Sequence, residues 1–210
     1  MNVDPDIAIR AHYERFPATI KGSFVLRGVG RDPHQVRIEQ ARVTELAGGG
    51  SHVIGVEPVT LEVAPRLDLF VPFEFSVTEL DAGWYQLECD VLTDGVPGIV
   101  RPGDRFPVAW PRATVRRGSV TVGTAIETSD GTVTIEQVDL GGDSIKVVFA
   151  ATSVPAVKLS ADGSSLTMLD VEFDEVSGRG RVIAYPLLKT AAVLTVDLKG
   201  AASPVDVPLP

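Results

Sequence analysis

Apolar and polar residues alternate with a period of two along most of this chain. In a strand, successive side chains point to opposite faces, so this pattern marks one buried and one solvated face. In the first half it predicts strands over 19–27, 35–46, 52–57, 59–63, 67–77, 84–92 and 105–110. Between Ile38 and Ala41 the alternation slips by one residue, which predicts a β-bulge. The breaks are turn-forming clusters: the Gly48-Gly49-Gly50 run, Asp94-Gly95, Pro97-Gly98 and Pro102-Gly103-Asp104.

A second set begins after Trp110-Pro111-Arg112. Strands are predicted over 119–127, 132–140, 144–150, 156–160, 166–176, 179–186 and 191–198, with hairpin signals at Ser129-Asp130-Gly131 and Ser177-Gly178. Two sets of short strands at this spacing predict an all-β chain of two tandem sandwich domains, over 18–111 and 112–202. Residues 203–210 are proline-rich and read as a flexible tail. Residues 1–17 read as an N-terminal arm or short helix: Asp4 suits a cap, Pro5 the first helical position, and Ile9, Tyr13 and Phe16 share a helical face that Pro17 ends.

One local motif narrows the sandwich type. Asp81-Ala82-Gly83-Trp84-Tyr85 closes one strand and opens the next. It resembles the D-x-G-x-Y element of the tyrosine corner of immunoglobulin-like domains. The resemblance implies a Tyr85 hydroxyl bonded back to nearby backbone. It covers about a third of the first domain and departs from the antibody pattern. Leu87 stands where the second cysteine would be, and Cys89 follows two residues later. The resemblance implies a fold and no particular activity.

Composition is that of a globular protein: 210 residues, 44% hydrophobic and 22% charged. The formal net charge of −9 is shared by both halves, which argues against nucleic acid or an anionic membrane as the main partner. No apolar run approaches the ~18 residues of a membrane-spanning helix. The polar, acidic opening of the chain lacks the features of a secretory leader, which predicts a cytoplasmic location, with export the alternative if a leader has been removed. Cys89 is the sole cysteine, so no disulfide forms within the chain, and its alternation with Leu87 and Val91 reads as a core position.

Candidate chemistry is sparse. His12, His34 and His52 stand apart and form no zinc-ligand spacing. Ser51 follows the glycine run but lacks the G-x-S-x-G turn of a nucleophile elbow, and no helix follows Gly28-Val29-Gly30 to receive a phosphate. Asp170, Glu172 and Asp174 share one strand face, where they could meet a cation. A Ser177-Gly178 turn would set Asp174 opposite Arg181, and a cross-strand ion pair is the simpler reading. No catalytic, cofactor-binding or metal-binding residue is assigned. Arg112, Arg116, Arg117 and Trp84 are the residues singled out for contact with a partner. Trp84 could stack on a sugar, but core or interdomain packing of Trp84 and Trp110 is the simpler reading. The expected function is a non-catalytic protein-binding or adaptor module. The alternatives are a structural subunit of a larger homo- or hetero-assembly and, less favoured, a hydrolase or sugar-binding module.

Overall fold

The computed structural model describes residues 7–15, 18–48, 50–103 and 105–210. These contain strands and turns and no helix. The chain divides into two compact units, Met1–Val108 and Ala109–Pro210.

The first unit holds β1 (Ile7–Arg15), β2 (Thr19–Gly28), β3 (His34–Glu45), β4 (Ser51–Ile54), β5 (Val59–Val63), β6 (Asp68–Ser76), β7 (Gly83–Thr93), β8 (Val96–Val100) and β9 (Phe106–Val108). Antiparallel pairing builds a three-stranded sheet, β1-β2-β6, and a second sheet, β4-β3-β7-β8, to which β5 adds on β3 and β9 on β7. Both sheets feed one hydrophobic cluster. Phe24, Leu26 and Phe73 come from the first sheet, and Ile38, Val43, Tyr85 and Leu87 from the second. Unit one is thus a two-layer β structure with its inward-facing residues forming the core.

The second unit holds β10 (Gly118–Thr128), β11 (Gly131–Leu140), β12 (Ile145–Ala150), β13 (Val157–Ala161), β14 (Ser164–Ser165), β15 (Met168–Asp174), β16 (Arg179–Ala184), β17 (Val193–Leu198) and β18 (Val205–Pro208). Its sheets run β10-β11-β12-β16-β15 and β14-β13-β17-β18, again around a shared cluster with Phe149, Ile135, Leu159 and Leu194 at its centre.

Turn chemistry follows the local residues. Asp94-Gly95 joins β7 to β8 with φ of 49° and 81°, and Asp162-Gly163 joins β13 to β14 with 47° and 83°. Positive φ at both central residues is what a type I′ hairpin turn requires, and Asp-Gly is one of the pairs that adopt it readily. The slip between Ile38 and Ala41 appears as a register shift between Ile38 and Gln40 of β3 in its pairing with β7.

Each unit also has a strand-centre glycine between two aromatic neighbours. Gly22 of β2 stands between Tyr13 of β1 and Phe73 of β6. Gly180 of β16 stands between Phe149 of β12 and Phe173 of β15, whose rings stack with centroids 6.0 Å apart. A Cβ at Gly180 would lie 2.5 Å from the Phe149 ring, so the rings occupy the space that a side chain would need.

Four expectations are corrected. Ile7–Arg15 is not helical: it is β1, paired along its length with β2. The four-residue step from Ile9 to Tyr13 fits either period, and Ile7 and Ala11 complete a period of two. The buried or half-buried Ile7, Ile9, Ala11 and Tyr13 alternate with exposed Arg10, His12 and Glu14. A helix this short is marginal by itself, whereas pairing with β2 gives the segment a sheet neighbour and buries its alternating apolar side. Asp4, Pro5, Phe16 and Pro17 lie outside the described residues. The tail is not free either, since β18 pairs with β17 and buries Val207. Pro97-Gly98 falls inside β8 rather than between strands. Finally, β15 and β16 pair two residues away from the expected register. Glu172 faces Arg181, and Asp174 faces Arg179. The reason is a four-residue loop held by Asp174, whose carboxylate accepts from the Val176 N–H and the Ser177 hydroxyl, both at 2.9 Å.

Candidate functional site

The residues singled out by sequence serve mainly local structure. Arg116 is half-buried. Its N–H donates to the Leu187 carbonyl at 2.8 Å, and its guanidinium donates to the carbonyls of Lys189 at 2.7 Å and Ala191 at 2.6 Å. It fastens the start of the second unit to the segment before β17. Arg117 instead lays its guanidinium over Gly142, where a Cβ would collide with it. Arg112 is exposed. The three arginines therefore do not converge on one acceptor. Trp84 is half-exposed on β7 opposite Pro107 of β9, and its carbonyl accepts from Leu46 at 2.8 Å. Trp110 meets Tyr185 edge-on, with centroids 5.5 Å apart, inside the second unit.

The three acidic residues of β15 are each engaged separately. Asp170 accepts from the Val171 N–H at 2.8 Å, Glu172 from Arg181 Nε at 2.6 Å, and Asp174 holds its loop. The two hydrogen bonds to Asp174 hold its carboxyl below the usual carboxylate range. His12 is exposed on β1, His52 is exposed on β4, and His34 Nδ1 lies 2.7 Å from Asp94. Among the described residues, no group of three or more His, Cys, Asp or Glu side chains could hold a metal ion. No helix there is long and apolar enough to cross a membrane.

A charge network that the sequence did not reveal crosses β3 and β7. Glu88 is only 8% exposed, although it lies on the face opposite the core residues Leu87 and Cys89. Its carboxylate accepts from Arg101 Nε at 2.6 Å and from Arg42 Nε at 3.1 Å, while Arg42 also reaches Asp90 at 2.6 Å. Burial pushes the Glu88 carboxyl upward, but the Arg101 and Arg42 contacts outweigh it and hold it below its ordinary value. All the charges are matched, so the network reads as a cross-strand clamp. Cys89 beside it is fully buried, and burial drives its thiol up to about 12.

A concavity lies elsewhere in the first unit. A groove of about 630 Å³ opens on one side of the first unit, where the edge of β6 meets β5 and the segment after β4. Its walls are Val71 and Phe73 of β6 and Val59 and Leu61 of β5. Gly22 and Gly55 also line it, the space beside Gly55 being open, and Lys21, Glu57 and Glu74 bring charge to its rim. Phe70, also lining it, is 64% exposed. Among the described residues β6 pairs only with β2, and β5 only with β3. The groove is therefore the unsealed seam between the two sheets, bordered by free strand edges.

The hydrogen-bond phase of β6 follows from its register. The Val77 N–H donates to the Ala18 carbonyl, on the β2 side, at 3.0 Å. Alternation then turns the backbone groups of Phe73 and Val71 toward β2, and those of Phe70, Pro72 and Glu74 toward the open seam. Pro72 has no N–H, so its place on the free side costs the sheet no bond. The sequence did carry this signal, since a proline inside the alternating run over 67–77 marks an edge strand.

Neither a family model nor a curated protein matches the chain.

Proposed function

We propose that the chain is a non-catalytic protein-binding module, built of two immunoglobulin-like sandwiches in tandem, that receives its partner along the free edge of β6. One observation carries the reading: an apolar groove and a row of backbone groups that no strand of the described residues pairs occupy the same place. An exposed strand edge offers main-chain hydrogen bonds to another chain, and adjacent pockets take its side chains. The exposed Phe70 ring supplies the aromatic contact that protein interfaces favour. The immunoglobulin-like part of the reading draws support from Tyr85, whose hydroxyl donates to the Asp81 carbonyl at 3.1 Å as a tyrosine corner would.

The test is capture from native lysate with the tagged full chain, alongside Phe70→Lys. Position 70 is exposed, so the variant keeps the fold. A saturable partner retained by the wild type and lost by Phe70→Lys is expected. Recovery of the bait alone, or of the same proteins by both baits, would overturn the reading.

A further inference from the structure

We infer that the occupant of the seam is an extended segment of another protein, alternating apolar with basic residues and laid against β6 as an added strand. This rests on the proposed protein-binding function and assigns the chemistry of its partner.

Backbone comes first. The free side of β6 presents N–H and C=O at Phe70 and Glu74, and C=O alone at Pro72. Such groups repeat every two residues, about 7 Å apart, which is the repeat of another extended chain. A helix satisfies its own backbone and cannot answer that row. Side chains come next. A strand on this edge sends every second residue into the seam, against Val71, Phe73, Val59 and Leu61, so that set must be apolar. The other set emerges beside Phe70, Pro72 and Glu74. The rim carries the exposed Glu57 and Glu74, and the one lining cation, Lys21, pairs with Glu74 at 2.9 Å, which leaves the rim one net negative charge. On a chain of net charge −9, this favours Lys or Arg in the outward set.

A second copy of this chain fits poorly. Antiparallel pairing of two β6 edges centred on Pro72 sets two residues without N–H face to face. Centring it on Glu74 sets like charges opposite each other.

The experiment begins with random peptides as long as β6, nine residues, displayed on phage and selected on the immobilised full chain and on Phe70→Lys, which removes the ring and repels a basic set. The expected consensus alternates apolar residues with Lys or Arg and is absent with the variant. A synthetic peptide of that consensus is then added to the isotope-labelled chain, and amide exchange is followed by NMR. The amides of Phe70 and Glu74 should gain at least about tenfold protection, while those of Val71 and Phe73, already on the β2 side, stay unchanged. Replacing the basic residues of the peptide by Glu should weaken binding by about three- to tenfold, less at high salt. An acidic or non-alternating consensus, enrichment equal on both baits, or protection elsewhere would overturn the inference. So would protection of Phe70 and Glu74 on concentrating the chain alone, which would assign the edge to a second copy. If a Phe70-dependent partner is captured but the consensus fails, only this inference falls. If no such partner exists, the functional reading falls with it.

Discussion

The Tyr85 hydroxyl donates to the Asp81 carbonyl four residues earlier in the chain, at 3.1 Å. The ring is 2% exposed and packs near Phe106, with centroids 6.0 Å apart. Burial, then the nearby charges of Glu45 and Asp81, push the phenol's pKa upward, so it stays a neutral donor. Tyr85→Phe keeps the ring and leaves the carbonyl without this donor. The expected loss is about 0.5–1.5 kcal/mol, read as a lower urea midpoint at unchanged slope. An unmoved midpoint would show that the bond contributes nothing.

Glu88 makes stability depend on pH. Its folded pKa lies below the ordinary 4.5, so its contribution is fully present above that value and is lost as pH falls through the folded one. Glu88→Gln removes the charge that Arg42 and Arg101 share. We expect it to cost about 1–3 kcal/mol at neutral pH, with the two proteins converging as the pH drops below 4.5. Denaturation curves across that range measure it, and a constant gap down to strong acid would contradict the clamp.

Gly180 is required for steric reasons. A Cβ there meets Phe149 Cζ at 2.5 Å and the Glu172 carbonyl oxygen at 2.6 Å. Gly180→Ala must separate β15 from β16 or tilt the stacked Phe149 and Phe173 rings. The expected cost is about 1–3 kcal/mol in thermal or urea unfolding. A neutral or stabilising effect would mean that the rings yield freely.

Cys89 is inert while the first unit is folded. It is fully buried, and its thiol is pushed to about 12, so thiolate is scarce at neutral pH. A thiol-reactive dye should label it only as fast as the unit opens, and rapidly in urea. Prompt labelling of the native chain would contradict its placement between β3 and β8.

Alternation made most of the fold legible, because one buried face per strand leaves a period of two in the sequence. Legibility failed where two physical readings shared one pattern. Ile9 and Tyr13 are four apart, which suits a helical face and a strand face alike, and the partner strand that decides lies beyond any local window. Ser177-Gly178 is a good two-residue turn, but the Asp174 side chain bonds to Val176 and Ser177 and builds a longer loop. The candidate site was least legible. Val59, Leu61, Val71 and Phe73 read as ordinary core positions, and only the pairing of strands shows that the seam between them is open. Pro72 was the one residue whose chemistry announced a free edge.

The most direct test of the account places a benzophenone photo-crosslinking amino acid at Phe70 and, as a control, at Val176, which is 97% exposed on a loop of the second unit. Irradiation in native lysate is predicted to give one dominant adduct from position 70 and none from position 176. Adducts from neither position, or the same adducts from both, would contradict a partner bound along β6.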